Sequence, residues 1–174
     1  RFQHEKRLLE FIEAVNFAKL ENVVVDVYGR GPLWNKAEEL IKDFELEHVV
    51  LLHGRAPHAR MLAHFAKADA LVQTSVGFET QGMTVFEAAA VGTPSILCDS
   101  NIAEEFEPGA HWVVADESVE ALAKTLSLAV SELRAGDNRG SKLVGDELLL
   151  QSGLTNRAVA IYEELLEKGG KYTQ

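Results

Sequence analysis

Val23-Val24-Val25-Asp26-Val27-Tyr28, closed by Gly29-Arg30-Gly31-Pro32, is a short β-branched run ending in a glycine turn. That is the pattern of a buried strand feeding a helix. After the turn, Leu33, Ala37, Leu40, Ile41 and Phe44 recur at helical spacing and give one apolar face. Residues 49–52 then form a second apolar run, ended by His53-Gly54. Upstream, Leu8, Phe11, Ile12, Val15 and Ala18 make the stripe of an amphipathic helix over residues 4–20. Downstream the alternation continues with a helix at 58–66, a strand at 70–72, a helix at 83–91 stopped by Gly92 and Pro94, strands at 95–98 and 112–114, and a helix at 117–133. Residues 134–146 read as a loop and 154–167 as a closing amphipathic helix. Short apolar strands separated by helices predict a single α/β domain with three α/β/α layers and a doubly wound parallel sheet. No strand stands ahead of the first helix, although in a 3-2-1-4-5-6 sheet the first strand is central. The expectation is therefore a chain that is part of a larger protein, with its first strand missing.

Composition narrows the function classes. The 174 residues are 47% hydrophobic and 25% charged, enough for one core. The net charge is −10 and no basic run interrupts it, so a phosphate-backbone footprint is absent and nucleic acid is not an expected partner. No apolar stretch approaches the ~20 residues of a membrane-spanning helix, and no signal segment opens the chain. A lone cysteine, Cys98, excludes an intrachain disulfide or multi-thiolate site and fits a reducing, cytoplasmic setting. The six histidines show no metal-ligand spacing, so no metal is expected.

Open α/β sheets bind ligands at the carboxyl ends of their strands. The richest such segment, residues 74–87, carries Glu79 and Glu87 on either side of a predicted helix start. Gly82 permits close backbone approach, and the amides of Met83, Thr84 and Val85 would form an anion site at the helix N-terminus. A carboxylate at Glu87 suits two adjacent ribose hydroxyls, and one at Glu79 suits sugar hydroxyls. A nucleotide sugar satisfies both. Gly29 and Gly31 serve any tight turn as well as they serve a ligand, and Arg55, after the second strand, could border a base. A dinucleotide site is the rival within this fold, but Trp34 stands where its third glycine belongs.

Glu79 to Glu87 resembles the E-x7-E signature of retaining glycosyltransferases of family 4, the group 1 glycosyltransferases with the B-type fold of two Rossmann-like domains. Phe78 to Ala88 and Gly92-Thr93-Pro94 are similar to that family's E-x-x-G, E-A and G-x-P pattern. Tyr28 to Pro32 resembles its G-x-G-P turn, residues 49–54 its V-x-x-L-G strand end, and Arg1 to Lys6 its G-R-x-x-x-E-K segment. The resemblance covers residues 1–133. It implies the C-terminal donor domain of a metal-independent enzyme that takes a UDP- or GDP-activated sugar. In that reading Arg1 and Lys6 neutralise the donor diphosphate, residues 82–85 present amides, Glu87 holds the ribose and Glu79 orients the transferred sugar. An N-terminal domain of the same polypeptide would hold the acceptor, and a lipid acceptor would draw the whole enzyme to the inner face of the membrane. Two departures stand out: Ala89 replaces the family's methionine, and Asp99 to Glu105 replaces a glycine-rich stretch. The alternative is a non-catalytic nucleotide-binding or regulatory domain of the same fold.

Overall fold

The computed structural model describes residues 2–77, 83–137 and 139. The closing helix expected at 154–167 lies outside the described residues. A 3-10 turn at His4–Lys6 precedes α1 (Leu8–Ala18), β1 (Val25–Tyr28), α2 (Trp34–Asp43), β2 (Val50–Gly54) and α3 (His58–Phe65). β3 (Leu71–Gln73), α4 (Met83–Ala90), β4 (Ser95–Leu97), α5 (Ser100–Ala103), β5 (Trp112–Val113) and α6 (Val119–Arg134) follow.

Local chemistry sets several of these boundaries. Ser118 caps α6, its Oγ accepting the Ala121 amide at 3.1 Å, as expected of a serine before a helix. The helix expected over 4–20 is broken at Arg7, which adopts a left-handed backbone (φ 50°). Its guanidinium donates to the Glu117 carbonyl, which ties the start of α1 to the approach to α6. The short α5 was not expected; its start is fixed by the Asp99 side chain.

All strand pairs are parallel, and helices cover both faces. The strands form two sheets, β1-β2 and β3-β4-β5. Between them runs a cleft of about 1220 Å³, lined by Val25 and Val27 of β1 and Leu71 and Val72 of β3. The central β4 is buried at every position. β1 and β2 are less enclosed than their apolar sequences predict: Asp26, Leu51 and His53 are exposed, since alternate strand residues point to opposite faces. One core joins Phe11, Ile12 and Val15 of α1 to Leu122, Leu126 and Ala129 of α6; a second packs Val85 and Ala89 on Leu97, Ile102 and Phe106. Burying such side chains contributes roughly 1.5–3 kcal/mol each.

Candidate functional site

The carboxyl ends of β2, β3 and β4 lead into α3, α4 and α5, so three helix openings gather at one end of the fold. At α4, Val85 is fully buried in the second core and holds the first turn down, while the Met83 and Thr84 side chains are exposed. The first four amides of a helix have no partner within it, and they carry the positive end of its dipole. Glu87 lies one turn further on, with its side chain 26% exposed. His58, the first residue of α3, places Nε2 2.8 Å from Glu87 Oε1.

The segment ahead of α4 is tied down from three sides. Gln73 Nε2 donates to both the carbonyl and the hydroxyl of Ser75 at 2.8 Å. The Thr74 hydroxyl donates to the Lys6 carbonyl at 2.5 Å, bringing the 3-10 turn to the end of β3. Gly77, at φ +71°, donates its amide to Asp99 Oδ2 at 2.8 Å. Asp99 is 2% exposed, and its Oδ1 accepts the Asn101 amide at 3.0 Å. One carboxylate thus caps α5 and anchors the approach to α4.

Of the residues singled out by sequence, Lys6, Met83 and Thr84 line the same cleft, joined by Thr74 and Ser75. Val85 does not line that cleft, and its side chain is core. Arg1, Glu79 and Gly82 lie outside the described residues. Arg55 is exposed in the turn between β2 and α3. Gly29 has a packing reason for its identity: at φ +148°, a Cβ there would stand 2.6 Å from the Phe2 ring. His58 and Thr74 bound segments at strand ends where the sequence points to ligand binding, and Asp99 opens the departure from the family pattern, but the sequence assigns none of the three an individual role. Asp99-Ser100-Asn101 after a strand carries a capping signal, but nothing in linear spacing pairs His58 with Glu87.

Burial pushes the Cys98 thiol up to about 11, against the opposing pull of Arg7. It is protonated at neutral pH and unsuited to nucleophilic attack, as its core-like sequence setting predicts. His111 is lowered by burial and by Arg139. Asp26 and His53 pair at 2.5 Å on β1 and β2. Among the described residues no three His, Cys, Asp or Glu side chains could hold a metal, and no helix is long and apolar enough to cross a membrane.

The family model described as glycosyl transferases group 1 matches residues 1–138. The alpha-monoglucosyldiacylglycerol synthase of Streptococcus pneumoniae is 30% identical over 100 residues, 55% of this chain and 22% of that protein. The sucrose-phosphate synthase of Thermosynechococcus elongatus superimposes with a TM-score of 0.73 at 18% identity, over 97% of this chain and 44% of that one. Anabaena HepE, solved in complex with UDP and glucose, gives 0.68 at 18% identity, over 80% and 39%. The chain spans about a fifth of the curated relative and under half of these two structures.

Proposed function

The chain belongs to the group 1 glycosyl transferases, and from that premise we propose that it is the donor-binding domain of a retaining enzyme using a UDP- or GDP-activated sugar. The observation that carries the reading is the Glu87 carboxylate, part-exposed one turn inside α4, in a helix whose opening amides have no partner within the helix itself. A carboxylate accepts two adjacent ribose hydroxyls, and helix amides meet the diphosphate. Lys6, held at the cleft through Thr74, and Arg1 would oppose charge building on the leaving diphosphate, where preorganised donors act most strongly. Glu79 would orient the transferred sugar, with Gly82 allowing close approach. Arg55 would border the base. No divalent ion enters this scheme.

The acceptor would be held by an N-terminal domain of the same polypeptide, in the cytoplasm. The curated relative's product, a glucosylated diacylglycerol by its name, makes a lipid acceptor at the inner membrane face part of the proposal. This chain carries a net charge of −10, which anionic lipid repels. In liposome co-sedimentation it is expected to stay in the supernatant, so membrane attachment would come from the acceptor domain. Pelleting with anionic vesicles would place a membrane surface on this domain instead.

The direct test is calorimetric titration of the chain and of Glu87→Ala with UDP, GDP, ADP and NADH, without added metal. Binding of UDP or GDP is expected, weakened about tenfold or more by the substitution, since hydrogen bonds to a charged group contribute ~1.5–3 kcal/mol. Binding of NADH alone, or indifference to Glu87→Ala, would overturn the reading.

A further inference from the structure

We propose that His58 is a positioning residue for the donor, holding the Glu87 carboxylate in the orientation that receives the ribose. The inference rests on the donor-domain reading and extends it to a residue on a different helix. A glutamate side chain has three rotatable bonds, and fixing it on binding costs rotamer freedom. In this fold part of that ordering is already in place, because His58 Nε2 lies 2.8 Å from Glu87 Oε1.

The geometry leaves the carboxylate able to work. One N–H occupies one acceptor position on Oε1; the other position, and both on Oε2, stay available for two adjacent hydroxyls. The imidazole is itself well placed to act as a strut. It opens α3 directly after Pro57, whose backbone (φ −60°, ψ 146°) is extended, and its ring turns about only two torsions. The other end of α3 is locked by buried Phe65, whose carbonyl accepts the Thr93 hydroxyl at 2.6 Å from the turn after α4. Thr93 and Phe65 thus fix α3 against α4 at one end, and from the other end His58 reaches across to Glu87. The His58 side chain is 67% exposed. Ion pairs that exposed contribute little to stability, so a loss of binding on its removal would report on the carboxylate and not on the fold.

The test titrates wild type, His58→Leu, His58→Gln, Glu87→Ala and the His58→Leu/Glu87→Ala double variant with UDP, GDP and their 2′,3′-dideoxy counterparts, after thermal melts confirm equal folding. His58→Leu is expected to weaken binding of the ribonucleotide by about threefold to tenfold, the scale of ordering one rotamer-rich side chain. Dideoxy binding should be unaffected, His58→Gln should restore the donor N–H and most of the affinity, and His58→Leu should add nothing once Glu87 is gone. If Glu87→Ala weakens binding while His58→Leu does not, the strut is wrong and the donor reading survives. Equal loss for ribo and dideoxy forms would also overturn the strut. If Glu87→Ala has no effect, or wild type binds none of these nucleotides, both readings fall together.

Discussion

Replacing Asp99 with alanine is expected to destabilise the chain by about 3 kcal/mol, combining the loss of a helix cap (~1 kcal/mol) with that of a second charge-assisted backbone bond (~1.5–3 kcal/mol). The carboxylate is 2% exposed and accepts from Gly77 and Asn101 at 2.8 and 3.0 Å. Removing it takes the shared charged acceptor from both amides, which lie on exposed residues and are left with water as their partner. At 174 residues, this loss would lower Tm by roughly 6–12 °C. Asp99→Asn should recover only part, because its amide oxygen can serve one donor while its NH₂ faces the other. Native-state hydrogen exchange separates the two roles: in Asp99→Ala, the Gly77 and Asn101 amides should lose protection ahead of the rest of the chain. A melt indistinguishable from wild type would show that the buried carboxylate does not hold this end of the sheet.

The same residue shows where reading the sequence stops. β1, β2 and β4 were legible because β-branched runs bounded by glycine or proline have few other uses, and α6 because its stripe extends over four turns. Arg7 and α5 were not. A left-handed arginine just ahead of an apolar stripe makes its side-chain bond to a carbonyl far along the chain, at Glu117, and a four-residue helix starts at its Asp99 cap. Neither leaves a periodic trace.

The candidate site divides along the same line. The opening of α4 and Glu87 were legible as a local motif, since both lie in one continuous segment. His58 and Asp99 act across 29 and 22 residues, joining neighbouring βα units through side chains. Such pairs depend on how α3 and α4, or β3 and β4, lie against each other, which residue spacing does not encode. Gly31 is a third case. As the second glycine of a turn it has an obvious local reason, yet its surroundings add a non-local one.

Gly31→Ala is expected to cost about 3–5 kcal/mol. A Cβ at this position would stand 2.5 Å from the Phe2 carbonyl oxygen and 2.6 Å from its amide nitrogen. These are backbone atoms, so no side-chain rotation relieves the clash, and the chain around Phe2 must lift away. That displacement breaks two hydrogen bonds, Phe2 N–H to the Arg30 carbonyl at 3.2 Å and Leu33 N–H to the Phe2 carbonyl at 3.3 Å, each contributing ~1 kcal/mol. It also withdraws the Phe2 ring, which is 4% exposed and stacks on Trp34 at 5.5 Å, losing a further ~1.5–3 kcal/mol of burial. The cost arises from the neighbour and not from Gly31 itself, so it should depend on what stands there. In chemical denaturation, Phe2→Ala should be destabilising alone, and adding Gly31→Ala to it should cost clearly less than Gly31→Ala costs in wild type, because the ring burial has already been lost. Full additivity would locate the strain within the turn, whereas sub-additivity would tie the 3-10 segment bearing Lys6 to the glycine turn at the head of α2.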